Sequence, residues 1–318
     1  MYFSQYTEDQ KREIAKQLKD HTEESAIKDY NNLKTALAAD LNAIKPLSPV
    51  GLKFIENFVH IELLSTKSKQ GISFFDFWAN KEHYMTRDNA TKNLIASIKK
   101  NKPYLTEVKI GKQVFNLYCG GISIFRPVNA AKIYDQFKPT CVLDFTMGWG
   151  GRLLGAVLMN VPKYIGIDLN ERLVEPYAKM VYHFKKDGRN TVAELHFKNA
   201  LEHDYSQTEY DMVFTSPPFY NKETYGEKEL YKTKEEWDEQ FYIPIFKKTW
   251  AHLKPGGFYC LNVPNYLYDR VCLSIFGEAK ELIELKKYSR ILPKKENGKQ
   301  YNVGQKYKEY IYIWQKEM

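Results

Sequence analysis

The spacing of apolar residues changes near residue 105, and this change divides the chain into two parts. Before it, apolar positions recur three or four residues apart between charged ones, which is typical of amphipathic helices. Examples of these apolar positions are Ile14, Leu18, Ile27, Leu33 and Leu37. Turn-forming residues at 46–49 and 69–71 indicate four or five short helices instead of one long helix. We predict a helical N-terminal domain over 1–105, serving as a lid or in substrate recognition, and a second domain over 106–318.

After residue 105, short apolar runs alternate with segments of helical spacing. The stretch 108–118 predicts a strand, and 129–137 predicts a helix. Further strands are predicted at 141–144, 164–168, 193–197, 212–215 and 258–263, with helices at 151–159, 171–185, 234–253 and 269–276. Alternating strands and helices form a parallel, doubly wound sheet. Two last strands, 283–291 and 307–314, joined by a polar and lysine-rich link, predict an antiparallel hairpin on the sheet edge.

The composition is that of a globular protein with a real core, since 43% of the 318 residues are hydrophobic and 27% are charged. The apolar runs are far shorter than the roughly 20 residues that a membrane helix needs. The first residues lack the apolar core of a secretory signal, so we expect no membrane association and a cytoplasmic or host-intracellular location. The formal net charge of +8 suits a polyanionic partner, although a lysine-rich chain can reach it without one.

The cysteines are widely separated, with no C-x-x-C pair and no histidines at metal-ligand spacing. These cysteines are Cys119, Cys141, Cys260 and Cys272. We therefore predict buried thiols and no metal site.

The densest chemical signal is a glycine-rich turn that follows the predicted strand 141–144. The sequence runs from that apolar strand through Gly148 and Gly150 into a helix. At the carboxyl end of a parallel strand, glycines let the backbone approach a bound ligand closely. A dinucleotide-binding turn would need a third glycine where Leu153 stands, which disfavours a nicotinamide cofactor.

Two polar residues end the next strands and fit a nucleotide-like ligand. Asp168 lies 20 residues after Gly148, where its carboxylate could accept hydrogen bonds from two ribose hydroxyls. Asn199 could bind an adenine amine. The alternatives are a solvated Asp168 at an ordinary strand end and an Asn199 that only starts a turn.

The sequence Ser216-Pro217-Pro218-Phe219 follows the predicted strand 212–215 and indicates the chemistry. Two prolines fix φ and prevent a helix, so the loop is rigid. An exocyclic base amine is a poor nucleophile because its lone pair is delocalised into the ring. If the Ser216 oxygen and the Pro217 carbonyl each accept one amine hydrogen, that lone pair can face a methyl donor. Phe219 could stack on a base extruded from its helix.

Together the two motifs resemble the family of S-adenosylmethionine-dependent DNA amino-methyltransferases, over roughly residues 122–318. In this family a glycine-rich turn precedes an (Asp, Asn or Ser)-Pro-Pro-(Tyr, Phe or Trp) motif. The resemblance implies a Rossmann-like class I methyltransferase fold, S-adenosylmethionine as cofactor, and catalysis at Ser216, Pro217, Pro218 and Phe219. It implies transfer to cytosine N4 or adenine N6, and serine at the first motif position slightly favours cytosine. The implied cofactor contacts are Phe125, Pro127, Asp144, Thr146, Gly148, Gly150, Asp168, Asn199 and Ser216.

Substrate contacts are predicted in two segments. The polar loop after the catalytic motif contains Tyr220, Tyr225 and Tyr231, which could hold the substrate or pack on the next helix. Lys294 and Lys295 in the last hairpin could follow phosphates or could be merely solvated. Other aromatic residues are expected in the core, namely Trp237 and Phe241 in the following helix and Phe74, Phe75, Phe77 and Trp78 in the N-terminal domain.

Three functions remain open from the sequence. The first is methylation of a nucleic-acid base, foremost in DNA. The second is methylation of an RNA base or a protein amide, since related Pro-Pro motifs serve those targets. The third is a non-catalytic subunit that binds a partner methyltransferase. The sequence also leaves open whether the chain forms a homodimer or binds another subunit.

Overall fold

The computed structural model describes residues 6–68, 70–220, 223–224, 231–296 and 299–318, and it gives only the backbone of 223–224, 286–296 and 299–307. The strands are β1 Lys67–Ser68, β2 Cys141–Asp144, β3 Lys163–Asp168, β4 Val192–Phe197, β5 Tyr210–Thr215, β6 Glu223–Thr224, β7 Leu253–Val263, β8 Glu281–Glu296 and β9 Lys299–Gln315. The helices are α1 Glu8–Leu18, α2 Glu23–Asp40, α3 Leu52–Ser65, α4 Phe74–Ala79, α5 Lys81–Thr86, α6 Asn89–Asn101, α7 Glu107–Phe115, α8 Pro127–Phe137, α9 Gly151–Leu158, α10 Val174–Lys186, α11 Lys234–Trp237, α12 Ile243–His252, α13 Asn265–Leu267 and α14 Leu273–Phe276.

Seven strands form one mixed sheet in the order β4-β3-β2-β5-β7-β9-β8. The first five strands in that order pair in parallel, and β9 pairs antiparallel with both β7 and β8. The chain winds outward from β2 to β4 and then returns to β5 on the other side of β2, which makes the sheet doubly wound. The predicted Rossmann-like fold with an antiparallel C-terminal hairpin is confirmed.

Hydrophobic residues cover both faces of the sheet, because neighbouring residues of a strand point to opposite faces. In β2, Val142 joins the core made with α8, α9 and α10, whereas Leu143 joins the core on the side of α12. Both side chains are fully buried. Such double burial explains why these strands are continuous apolar runs instead of alternating ones.

The N-terminal helices contribute to two separate cores. Tyr30 of α2 and Phe54 of α3 belong to the same buried cluster as the sheet and α8–α10. The Tyr30 hydroxyl also donates a hydrogen bond of 2.8 Å to Asp187, just after α10. A second cluster lies among α1, α4 and α7 and contains the aromatic residues expected there, namely Phe74, Phe75 and Phe77, with Trp78 packed against them. The aromatic core is confirmed, and the division at residue 105 stays a prediction.

The predicted strand at 108–118 is wrong, because this segment forms α7 followed by a π-helical turn at Asn116–Gly120. Val108, Gly111 and Phe115 are buried at intervals of three and four residues, which places them on one helical face. Lys109 stands between Val108 and Ile110 and imitates the alternation of a strand.

Two further predictions need adjustment. Described residues 6–101 form six helices, α1–α6, instead of four or five, because the chain turns at Asn80 between α4 and α5. Most of the polar segment that was expected to link the last two strands belongs to the strands, since β8 continues to Glu296 and β9 begins at Lys299.

The four cysteines are free and buried, as predicted. Among the described residues, no helix combines the length and apolar character that a membrane span requires.

Candidate cofactor and catalytic site

The glycine-rich turn and the Ser-Pro-Pro-Phe loop leave the same edge of the sheet. The strands that precede them, β2 and β5, are parallel neighbours with Leu143 opposite Val213. A direct contact joins the two segments, since the hydroxyl oxygens of Thr146 and Thr215 are 2.6 Å apart. The fold therefore brings together two motifs that are about 70 residues apart in sequence.

Two glycines shape the turn between β2 and α9. Gly148 and Gly150 have φ angles of 61° and 97°, in the left-handed region where a side chain is strained. The Gly148 amide donates a 2.8 Å hydrogen bond to Asp168 at the end of β3, and the Tyr177 hydroxyl donates a 3.0 Å bond to the Gly148 carbonyl. A Cβ on Gly148 would meet no other atom closer than 3.9 Å. The turn is thus held from two sides, and a Cβ on Gly148 would be in ordinary van der Waals contact with the Thr146 carbonyl oxygen and the Arg152 guanidinium.

Asp168 lies at the end of β3 with both carboxylate oxygens oriented by backbone amides. One oxygen accepts from Gly148 and the other accepts a 2.9 Å bond from the Asn170 amide. Each oxygen keeps a further lone pair for a hydroxyl donor. Burial raises the pKa of Asp168 to about 6, because the ionised form loses solvation that the two amides replace only in part.

Asp144 lies at the end of β2 beneath the glycine-rich turn, and its role as a cofactor contact stays a prediction. Its side chain is fully buried and forms an ion pair with the buried Arg152, at 2.6 Å. The hydroxyls of Tyr164 and Thr215 donate to the same carboxylate at 2.5 and 2.8 Å. Arg152 also donates to the carbonyl of Thr146. The Asp144 carboxylate therefore holds the glycine-rich turn, through Arg152, and the end of β5, through Thr215. A cofactor would reach this carboxylate only by displacing these donors.

Phe125 and Pro127 lie at the start of α8, where they pack against the turn. The Phe125 ring is half-buried and meets the ring of Phe214 edge-on, with centroids 5.6 Å apart. A Cβ on Gly151 would fall 1.9 Å from the Phe125 carbonyl oxygen, so only glycine allows this approach. Pro127 is buried as the first residue of α8, where its missing amide hydrogen has no cost.

Asn199 shows the turn geometry that was the alternative to cofactor binding. Its side-chain oxygen accepts a 3.1 Å bond from the Leu201 amide and so caps a short helical turn at Ala200–Glu202. Its amide nitrogen donates to Glu202 at 3.3 Å. The side chain is half-buried at the carboxyl end of β4, on the same sheet edge as Asp168.

Ser216 is the first residue of the loop and has a partner that the sequence did not reveal. Its hydroxyl and the side-chain oxygen of Asn262 are 3.0 Å apart. Asn262 is 3% exposed, and its amide nitrogen donates to the Tyr310 carbonyl at 3.0 Å and to Glu309 at 3.3 Å. Since the nitrogen is engaged there, the oxygen of Asn262 must face Ser216, so the serine hydroxyl is the donor. The lone pairs of the Ser216 oxygen are thereby left to accept.

The rest of the loop is anchored by tyrosines. The Tyr242 hydroxyl donates to the Pro218 carbonyl at 2.5 Å and accepts from the Tyr220 amide at 2.9 Å. Tyr220 is only 6% exposed, its φ is 49°, and its hydroxyl donates to Asp238 at 2.8 Å. Tyr220 is therefore buried and holds the loop in place, and its role as a substrate contact stays a prediction.

No protein-family model and no curated protein sequence matches the chain. A SAM-dependent O-methyltransferase from Thermotoga maritima shares 14% identity, with 64% of this chain and 71% of that chain covered and a TM-score of 0.38. A putative RNA methyltransferase from Pyrococcus horikoshii shares 13% identity over 71% of this chain and 99% of that chain, with a TM-score of 0.37. TrmN from Thermus thermophilus shares 16% identity over 60% and 49%, with a TM-score of 0.36.

The remaining predicted residues differ in how far the structure describes them. Pro217 is buried and Phe219 is half-buried at the same edge. Tyr231 is half-buried and meets Trp237 edge-on at 4.9 Å, which agrees with packing on the next helix. Trp237 is buried and Phe241 packs against the same core, as predicted. Tyr225 lies outside the described residues, as do the side chains of Lys294 and Lys295.

Within the described residues, no cluster of three or more His, Cys, Asp and Glu side chains is arranged to hold a metal ion. The site consists of the turn, the loop and the residues that orient them.

Proposed function

We propose that the chain transfers a methyl group from S-adenosylmethionine to the exocyclic amine of a nucleic-acid base, foremost a DNA base. The proposal depends on the hydrogen bond that the Ser216 hydroxyl donates to Asn262. This bond leaves the lone pairs of the Ser216 oxygen free to accept, beside the glycine-rich turn. A hydroxyl that could rotate freely would not keep its lone pairs directed at the amine hydrogens.

The turn at Gly148 fits the proposed cofactor. Gly148 has no side chain between its backbone and a ligand at this sheet edge, and the Asp168 carboxylate has acceptor capacity for the two hydroxyls of a ribose. Asp144 would position Arg152 and Thr215 next to the site. When bound, the cofactor supplies an activated methyl group, so a strong general base is not needed.

The loop would orient the base. The Ser216 oxygen and the Pro217 carbonyl would each accept one hydrogen of the amine, which directs the nitrogen lone pair away from the ring plane. A nitrogen–carbon bond then forms as the carbon–sulfur bond of the donor breaks, and the surplus amine proton passes to solvent. Phe219 would supply the stacking face for a base that has left its helix.

The experiment that tests the proposal measures label transfer from radioactive S-adenosylmethionine to duplex DNA, RNA and protein. We expect label in DNA, with the methylated base identified by digestion to nucleosides and mass spectrometry. Ser216→Ala should remove most of the label while calorimetric binding of S-adenosylhomocysteine persists, and the exposed Ser206→Ala is the matched control.

Three other outcomes contradict the proposal in different ways. Label only in protein or only in RNA would assign the substrate to those classes. A chain that binds neither the donor nor its demethylated product would indicate the non-catalytic subunit. Full activity of the Ser216→Ala protein would exclude the assigned role of the loop.

A further inference from the structure

The last two strands extend beyond the rest of the sheet. β7 pairs with β9 only from Tyr310 to Gln315. β8 and β9 remain paired with each other beyond that point, from Lys286 opposite Glu309 to Glu296 opposite Lys299. In the described part of the chain no third strand joins this section, which we name the ribbon and define as residues 286–296 and 299–309.

The ribbon leaves the sheet at the edge that holds the candidate site. Val263 is the last residue of β7 and pairs with Tyr310. β7 runs parallel to β5, with Leu261 opposite Thr215, so the strand ends near Val263 and Ser216 lie on one side of the sheet. Glu309, at the base of the ribbon, accepts a hydrogen bond from Asn262, the residue that orients Ser216.

The ribbon contains most of the net charge of the protein. It has eight of the 47 basic residues and two of the 39 acidic ones, so it provides six of the eight net positive charges. The basic residues are Lys286, Lys287, Arg290, Lys294, Lys295, Lys299, Lys306 and Lys308. The other 296 residues are nearly neutral. The net positive charge of the chain is thus concentrated in the ribbon.

The register distributes the charges over the two faces of the ribbon. Residues opposite each other share a face, as do residues two apart in one strand. Lys287 pairs with Lys308, Ser289 with Lys306, and Lys295 with Gln300, so one face holds four lysines and no acidic residue. Lys308 is paired with Glu284 at 3.0 Å, so the other positive charges of this face belong to Lys287, Lys295 and Lys306. This excess of positive charge favours a polyanionic partner.

We infer that the ribbon docks duplex DNA next to the catalytic loop. Eleven residue pairs at about 3.3 Å each give the ribbon a length of about 35 Å, close to one turn of B-form DNA. The major groove of B-form DNA admits a two-stranded ribbon, whereas the major groove of duplex RNA is too narrow and deep for side chains. This inference rests on the proposed function, from which it takes DNA as the partner. Its test measures DNA binding and does not require methyl transfer.

The test compares two variants that lose the same charge. The ribbon variant carries Lys287→Gln, Lys294→Gln, Lys295→Gln and Lys306→Gln. The control variant carries Lys92→Gln, Lys99→Gln, Lys100→Gln and Lys102→Gln in and after α6, where all four lysines are exposed. Fluorescence anisotropy measures the affinity of each full-length protein for a labelled 30-base-pair DNA duplex between 50 and 200 mM salt, with an RNA duplex as competitor.

Each phosphate contact contributes about 0.9 to the slope of log affinity against log salt. We therefore expect the slope of the ribbon variant to fall by about 3 to 4 and its affinity for DNA to drop by about tenfold or more, while the control variant stays near the wild-type chain. Equal changes in both variants, no change in the ribbon variant, or equal competition by duplex RNA would overturn the inference. The double variant Lys294→Gln, Lys295→Gln should give about half of the slope change, which keeps the test valid if the fourfold variant fails to fold.

The same proteins separate this inference from the proposed function. A chain that binds DNA through the ribbon but transfers no methyl group would overturn the function and leave the inference in place. A chain that methylates DNA with an unchanged KM in the ribbon variant would overturn the inference alone. We expect a raised KM for DNA, with kcat and the binding of S-adenosylhomocysteine unchanged.

Discussion

Ser216 donates its hydroxyl hydrogen to the side-chain oxygen of Asn262 at 3.0 Å, across two neighbouring strand ends. Asn262→Leu removes the acceptor and frees the hydroxyl to rotate. We expect kcat to fall by about ten- to hundredfold, equivalent to about 1.4–2.7 kcal/mol, with cofactor binding retained. The measurement is methyl transfer under saturating substrate, beside calorimetric titration with S-adenosylhomocysteine.

A double-variant cycle shows whether Asn262 acts through the serine. In a Ser216→Ala protein, Asn262→Leu should cause little further loss, because the hydroxyl that it orients is gone. Losses that simply multiply in the double variant would mean that Asn262 supports the site in some other way.

Tyr242→Phe removes the hydroxyl that joins Pro218 and Tyr220 in the loop. The buried Tyr220 amide then lacks an acceptor, which costs about 1–3 kcal/mol of folding free energy, and the loop loses its fixed geometry. We expect kcat to fall while the binding of S-adenosylhomocysteine is kept. Urea unfolding and methyl-transfer assays measure the two effects.

The matched control is Tyr210→Phe, since the Tyr210 hydroxyl is also buried and donates to a backbone carbonyl, that of Thr249, at 2.7 Å. It should lower stability to a similar degree without changing kcat. Equal loss of kcat in both variants would argue that general destabilisation, not loop geometry, is responsible.

Cofactor binding should weaken in acid because of Asp168, whose pKa burial raises to about 6. The ribose hydroxyls are donors, so they bind the ionised carboxylate, and the competent fraction decreases as pH falls through 6. At pH 5 about one molecule in eleven is ionised, which predicts a Kd about tenfold weaker than at pH 8. Calorimetry with S-adenosylhomocysteine gives this profile, and Asp168→Asn should make it flat. A profile that persists in the Asp168→Asn protein would assign the titration to another group.

The buried ion pair between Asp144 and Arg152 is expected to be essential for stability. Arg152→Met leaves the fully buried Asp144 carboxylate without its cation. We expect the free energy of unfolding to fall by about 3–5 kcal/mol. Urea unfolding measures the change. Lys179→Met in the exposed pair with Glu175 is the control, and it should leave the free energy of unfolding nearly unchanged. A loss of similar size in both proteins would contradict this prediction.

Gly151→Ala should disturb the cofactor turn, because the new Cβ would collide with the Phe125 carbonyl oxygen, which is backbone and cannot rotate away. The segment before α8 must then move from the turn, so we expect binding of S-adenosylhomocysteine to weaken markedly. Gly188→Ala is the control, since its Cβ meets no atom within 4 Å and its φ of 71° imposes only about 1 kcal/mol of strain. Equal donor binding by the two variants would show that the turn tolerates the displacement.

The sequence alone determined the elements that depend on local pattern. Double burial makes β2 and β5 continuous apolar runs, and glycines or prolines mark the turns after them, so strands, turns and the doubly wound order could all be predicted. The strand expected at 108–118 was wrong because apolar residues next to lysines fit both periods, and only packing against α4 and α1 decides between them.

The tertiary structure decided which side chains are engaged. Nothing in the sequence indicates that Asp144 is paired with Arg152 or that Tyr220 is buried by Asp238 and Tyr242, since these partners come from other elements. Asn262 was missed for the same reason, although a polar residue in the otherwise apolar end of β7 is a signal. Local pattern determines where a strand ends, whereas the partner of a side chain at that end depends on sheet order and register, which only long-range packing sets.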